Sequence, residues 1–448
     1  MMQVFIQFGA TGDLAEKKLL PAYSELLRKG YNFHVIALGR RFSTVEAYLK
    51  HMGITEDNPL TSRISFVQYS MEEAASKIEL IRVLQETISG MCDVEFIYYI
   101  ALQPSLYESA AYDIRDIHES LEGCRLTKKI IVEKPFGFDA ESAQKYNSIL
   151  LSVCTDEEMY RIDHYLGKEF MQNLLVMRFS NDIIKGIWNK HYIDHIQIIF
   201  DESFGVDQRL GFYEQIGVVR DTIQNHILQI VTHLTMAEPV EFTPEDIAHE
   251  KVKVLRSIKP ISTFHLARYA SLKDASGNSV NTPTYGAFTC AVDTFDFSGI
   301  PIYIRTGKMQ KEALSMIYIA FKHFSGTADK KQVPPENAMI FTLHPEMTMD
   351  IQLNMKEPRS TWDPRSVRFT FDHFKTFQVN TPEAYQQIIE KILLSDKSLF
   401  PSMREILEAW RIVTPMLEAD KPLEEYPDRS LPACAVSIIE QDGRHWYA

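Results

Sequence analysis

The feature that most constrains this chain lies in its first forty residues. The apolar run "QVFIQFG" ends in the glycine turn "GATGDL", a segment with Leu19, Tyr23, Leu26 and Leu27 at helical spacing follows, and a second apolar run, "HVIALGR", comes next. Strand, glycine turn, helix and strand in that order predict a β-α-β unit, whose crossover makes the two strands parallel. Three more apolar runs, "ISFVQYS", "EFIYYIAL" and "KIIVEKP", continue the series. The expected N-terminal architecture is therefore a Rossmann-like, doubly wound parallel sheet, with ligands bound beyond the carboxyl ends of its strands. From about residue 180 the pattern changes to longer strands in succession: "DHIQIIFDES", "GAFTCAVDTFDF", "PIYIRTG", the run 315–321 and "AMIFTLH". These predict a large, mostly antiparallel sheet in an α+β C-terminal domain, with helices near 212–236 and 382–418. A chain of 448 residues exceeds one ordinary hydrophobic core. Two domains are expected, 1–165 binding a dinucleotide and 166–448 binding substrate and carrying dimerisation.

Composition narrows the partners. A net charge of −13 opposes binding to nucleic acid or to an anionic membrane, so an anionic ligand has to be met by locally clustered cations. The five cysteines, Cys92, Cys124, Cys154, Cys290 and Cys434, are scattered and form no C-x-x-C pair. That usage fits a reducing compartment and no zinc site. The opening "MMQVFIQFGATGDL" has no basic leader, and no apolar stretch reaches the roughly 20 residues that cross a bilayer. A cytoplasmic location is expected, without a membrane or nucleic-acid partner.

Several short segments are too polar or too glycine-rich for core, yet sit where strands should end. In "GATGDL", Gly9 and Gly12 would let the backbone approach a pyrophosphate at the following helix N-terminus. The spacing is G-x-x-G-D, not G-x-G-x-x-G, and a glycine turn of this kind is as often only a turn. Arg40 and Arg41, closing the second strand, suit a 2′-phosphate where an acidic residue would suit the free ribose, which points to NADP with NAD a poorer alternative. "EKPFG" would deliver Lys134 to the cleft, with Pro135 ending the strand pairing or introducing a cis bond. "RIDHYLGKE", residues 161–169, packs cations, carboxylates, a histidine, a tyrosine and a glycine into nine residues. There His164 and Lys168, four apart, would share one side of a helix and grip a phosphate together with Tyr165. Asp163 is a carboxylate suited to orienting an imidazole. His226 lies at the edge of an apolar helical face formed by Ile216, Val219, Ile223, Ile227, Ile230 and Leu234. A histidine there is more often structural, but held by a carboxylate it would be a base near neutral pH.

These motifs, in this order, resemble the glucose-6-phosphate dehydrogenase family: "GATGDLA", "EKPFG", "RIDHYLGKE", "RDTIQNHILQ", "IRTGK", "NMKEP" and the run from Lys397 to Trp410. The resemblance covers nearly the whole chain. It implies oxidation of glucose 6-phosphate at C1 with hydride transfer to NADP, and no metal. It implies that His226 is the general base oriented by Asp163. Lys134, His164, Tyr165, Lys168, Glu202, Asp221 and Lys308 would bind the sugar phosphate. The cofactor would be held by Gly9, Ala10, Thr11, Gly12, Asp13 and Leu14, by Arg40 and Arg41, and by Tyr107 and Lys134 near the nicotinamide. The family also suggests a homodimer or a dimer of dimers. The chain departs from the family at Glu16 and Gln103, and at Ala313, where a second cation is usual and Lys311 is the nearest substitute. The altered region after Lys308 leaves room for a dehydrogenase of another hexose 6-phosphate, and a non-catalytic homologue is the other rival, one that loss of His226, Asp163 or Lys168 would mark and that all three being present opposes.

Overall fold

The computed structural model describes residues 1–121, 125–206, 210–274, 276–323, 334–360, 363–378, 383–419 and 422–447. Two compact units divide the chain. The first comprises Met1–Lys168, Glu241–Ala248 and Pro382–Leu407, and the second comprises Glu169–Val240, His249–Thr381 and Glu408–Ala448. The boundary expected at 165 lies close to this division. The segment Pro382–Leu407, expected in the second domain, clusters with the first. Side chains explain why. Within the helix Ala384–Leu393, Glu390 accepts a 2.7 Å bond from the Tyr31 hydroxyl. The carbonyls of Ile392 and Leu393 accept from Lys129 Nζ at 2.7 Å and Gln3 Nε2 at 2.9 Å, both rooted in strands of the first unit.

In the first unit, β1 (Met2–Phe8), β2 (Phe33–Gly39), β3 (Ile64–Gln68), β4 (Asp93–Ile100), β5 (Arg125–Glu133) and β6 (Met159–Ile162) form one parallel sheet. Its order is β3-β2-β1-β4-β5-β6, the doubly wound arrangement. Strands covered on both faces read as continuous apolar runs, as in "VFIQF" and "EFIYYI". β1 and β4 are neighbours although separated by two strands in sequence, so the chain reverses direction across the sheet there and leaves a crevice at their carboxyl ends. The short β6, which ends on the first two residues of "RIDHYLGKE", was not expected, because four residues carry no periodicity.

The second unit holds a nine-stranded sheet in the order β14-β13-β12-β11-β7-β10-β9-β8-β15. Its strands are β7 (Ile193–Asp201), β8 (Phe264–Tyr269), β9 (Tyr285–Ala291), β10 (Pro301–Gly307), β11 (Leu314–Phe321), β12 (Ala338–His344), β13 (Thr348–Lys356), β14 (Pro364–Asp372) and β15 (Glu424–Tyr426). Pairing is mostly antiparallel, with β7–β10 and β8–β15 parallel. The helix expected over 212–236 is composite: Leu210–Val218, a π-helix Val219–Ile227, and Leu228–Thr235. No helix among the described residues is long and apolar enough to cross a membrane. Cys92, Cys154, Cys290 and Cys434 are free thiols, and Cys124 lies outside the described residues.

Candidate active site

The turn after β1 is built around Gly9. Its φ of +71° is one that side-chain-bearing residues rarely adopt, and a Cβ there would sit 2.5 Å from the Ala101 carbonyl oxygen. The turn closes by Gly12 N–H donating to the Gly9 carbonyl at 3.2 Å and Ala10 N–H donating to Leu38 at 3.0 Å. Beyond it lies a cavity of about 240 Å³ lined by Gly9, Thr11, Gly39, Arg40, Ser70 and Glu72 among others. Arg40 is thereby placed in a pocket with the glycine turn, while Arg41 is exposed and outside the lining. Ser70 and Glu72 were missed in the sequence, since they belong to a turn after β3 with no motif of its own. Tyr107 is only 3% exposed and packs edge-on against Tyr146, centroids 5.8 Å apart. It is a buried residue at the start of its helix, the ring that the resemblance puts near the nicotinamide half of the cofactor.

At the carboxyl end of β5, the Lys134–Pro135 peptide is cis. "RIDHYLGKE" does not continue as a helix: β6 ends at Ile162, residues 164–167 form a turn, and a helix starts only at Glu169. His164 and Lys168, expected on one side of a helix, therefore lie in a turn and bend ahead of it. Asp163, 1% exposed, accepts the Tyr165 N–H on its own side chain at 3.0 Å and the Leu166 N–H on its carbonyl at 3.0 Å. Lys168 folds back so that its ammonium lies 3.6 Å from the centroid of the Tyr165 ring, a cation–π contact. Gly167 is required by proximity: a Cβ there would lie 2.7 Å from the Ala384 carbonyl oxygen. Tyr385, on that helix, has its ring nearly parallel to that of His164, at 6.3 Å and 10°. Tyr385 was not expected, and no spacing in the sequence could have linked it to a motif more than two hundred positions earlier.

The second unit carries the remaining candidates. In the parallel register, Asp201 of β7 pairs with Gly307 of β10, so the next residue of each strand, Glu202 and Lys308, emerges at the same end. Lys308 Nζ meets the Glu202 carboxylate at 2.5 Å and that of Asp221 at 3.3 Å. Phe204 and Tyr213, also missed in the sequence, place their rings 5.4 and 5.3 Å from the same ammonium. Burial alone would lower the Lys308 pKa, but Asp221 and Glu202 more than offset it and hold the ammonium charged. Asp221 and His226 both lie in the π-helix, whose i→i+5 bonding distinguishes it from the ordinary helix expected. His226 is 3% exposed, and its N–H donates to the Asn225 side chain at 2.8 Å. Asn225 in turn donates to the Arg220 carbonyl at 2.8 Å, anchoring the segment. Lys311 is exposed and Ala313 half-buried just before β11.

Comparison with known proteins fits both halves. The model of the glucose-6-phosphate dehydrogenase NAD binding domain matches residues 6–173, and that of the glucose-6-phosphate dehydrogenase C-terminal domain matches 175–447. The chain belongs to the glucose-6-phosphate dehydrogenase family. It is 31% identical to a glucose-6-phosphate 1-dehydrogenase of Bacillus subtilis over 99% of this chain and 98% of that one. It is 34% identical to the enzyme of that name from Borreliella burgdorferi, over 91% and 90%. A solved structure titled glucose-6-phosphate dehydrogenase in complex with its substrate glucose-6-phosphate superposes with a TM-score of 0.89 at 29% identity, covering 100% of this chain and 98% of that one. The family thus accounts for the parallel sheet, the nine-stranded sheet and the presence of a nicotinamide-nucleotide domain.

Proposed function

We propose that this chain oxidises glucose 6-phosphate at C1, passing hydride to NADP and releasing the 1,5-lactone. The observation that carries the reading is Lys308 held between Glu202 and Asp221, the latter on the π-helix that also bears the buried His226, in a chain matched over its length by relatives named for that activity. His226 accepts the proton of the C1 hydroxyl, and Asp163 fixes its tautomer and stabilises the imidazolium. Glu202, Asp221 and Lys308 hold the sugar. His164, Tyr165 and Lys168 bind the 6-phosphate and Lys134 lies near both substrate and nicotinamide, a local cluster of cations that makes charge-assisted hydrogen bonds despite the net −13.

The cavity at the Gly9 turn fits a dinucleotide: it joins a glycine turn at a helix start to a guanidinium, Arg40, suited to a 2′-phosphate. Residues Gly9–Leu14 and Arg40 would hold the nucleotide there, Arg41 would add a second cation, and Lys134 and Tyr107 would serve the nicotinamide half. When bound, the nicotinamide supplies the hydride acceptor.

The reading places the protein in the cytosol, where its free cysteines stay reduced. It also implies a homodimer. Leu353 and Val367 pair across β13 and β14, and with Met355, Phe369 and Phe371 they leave one face apolar and 36–51% exposed at the edge of the nine-stranded sheet. A second copy of the same face is its self-complementary cover.

The deciding experiment follows reduced-cofactor absorbance with glucose 6-phosphate, other hexose 6-phosphates and free glucose, each with NADP and NAD. The expected order is glucose 6-phosphate with NADP first. A different best sugar overturns the substrate, a preference for NAD overturns the cofactor, and no turnover with any pair favours a non-catalytic homologue.

A further inference from the structure

Glu133 closes β5 immediately before Lys134, and it has two tyrosines for neighbours. The Tyr99 hydroxyl, from β4, donates a short bond to one carboxylate oxygen. The Tyr385 hydroxyl, from the helix Ala384–Leu393, donates to the other at 3.3 Å. Both rings are buried, Tyr99 completely and Tyr385 to 7% exposure. Tyr385 is also the residue whose ring lies parallel to that of His164. The Glu133 carboxylate is therefore linked, through one tyrosine, to a group that the functional reading assigns to the phosphate.

We propose that Glu133 is a positioning residue whose ionised carboxylate holds Tyr385, and through it His164, so that affinity for the sugar phosphate depends on the charge of Glu133. The proposal rests on the functional reading above. Its logic is one of proton counting. An ionised carboxylate accepts from both hydroxyls, and such charge-assisted bonds are the stronger kind. A protonated one must place its own O–H toward an oxygen, so one tyrosine loses its acceptor. The longer bond, to Tyr385, is the one expected to give way. The charged and titratable groups around Glu133 are Tyr99, Tyr107, Tyr385, Lys134 and Asp163. Burial pushes the Glu133 carboxyl up, against the opposing effects of Tyr99, Tyr385 and Lys134 and with a contribution from Asp163, to about 7. The switch between the two states thus falls within the working range of a cytosolic enzyme.

The test is the dissociation constant for glucose 6-phosphate, measured by calorimetry from pH 6 to 8.5 on the wild type and Glu133→Gln. Taking the ratio of the two proteins cancels the titration of the substrate phosphate. Glutamine imitates the neutral state, so the variant should bind about fivefold more weakly at pH 8, the worth of one hydrogen bond, and match the wild type at pH 6. Tyr385→Phe, which keeps the ring beside His164 and removes the hydroxyl, should give the same converging profile and serves if Glu133→Gln does not fold. A ratio that is flat with pH, at unity or displaced, overturns the proposal and leaves the functional reading intact. A wild type that binds no sugar phosphate at any pH overturns both.

Discussion

At the residue scale, the chemistry depends on groups whose surroundings set their charge. His226 is shielded from solvent in the π-helix Val219–Ile227, and the functional reading makes it the base and not a phosphate ligand. His226→Asn should lower kcat by about 10²–10⁴-fold with little change in KM for the sugar phosphate. Steady-state kinetics check this, and near wild-type turnover would remove His226 as the base. Lys168 lies instead over the Tyr165 ring in the turn after β6, and the functional reading gives its charge to the phosphate. Lys168→Gln should weaken glucose 6-phosphate by roughly 10–150-fold, the worth of a charge-assisted contact, and leave free glucose nearly unaffected. Equal losses for both sugars would place Lys168 away from the phosphate.

At the element scale, the polar turn and the helix Ala384–Leu393 work as one piece. Gly167 meets the Ala384 carbonyl and the Ile388 side chain so closely that any side chain would push the turn from the helix. Gly167→Ala should cost about 1–3 kcal/mol of stability, as overpacking does. It should also raise KM for the sugar phosphate, because Tyr165 and Lys168 flank the displaced residue. Denaturant unfolding and kinetics on the same preparation check the pair. A loss of stability with unchanged KM would show that the helix supports the fold but not the binding geometry.

At the scale of the whole molecule, stability and assembly have separate handles. His118, on the helix Tyr107–Ser120, packs against Phe96 and Tyr98, and its Nε2 has no hydrogen-bond partner among the described residues. Burial, with the nearby Lys128 charge, pulls its pKa down to about 4. The unfolded chain therefore takes up this proton near 6.5 and the folded chain only near 4, so its contribution is present above about 6.5 and is lost as pH falls toward 4. His118→Gln should remove at most ~1.4 kcal/mol per pH unit of that acid sensitivity, seen as a smaller gap between urea midpoints at pH 7 and pH 5. An unchanged gap would show that His118 titrates alike in both states. Assembly should respond elsewhere: Phe369→Asp combined with Phe371→Asp should shift sedimentation from dimer to monomer, while a dimer that persists would place the interface on another surface.

The parallel sheet, the turn at Gly9, and the segments carrying Lys134, Asp163, His164, Lys168 and His226 were legible from the sequence, because apolar periodicity and local motifs encode strands, turns and the polar residues at their ends. Other features have no local signal. The attachment of Pro382–Leu407 to the first unit is made by Tyr31, Lys129 and Gln3, each more than two hundred positions away along the chain. The alignment of Glu202 with Lys308 follows from the parallel register of β7 and β10, and the clamp of Tyr99 and Tyr385 on Glu133 from the approach of two distant elements. Sequence by itself determined the strands of the parallel sheet and the polar, glycine-bearing segments at their ends. Tertiary packing alone decided which of those segments share a charge or a hydrogen bond, since such contacts depend on distance in space and not on separation along the chain.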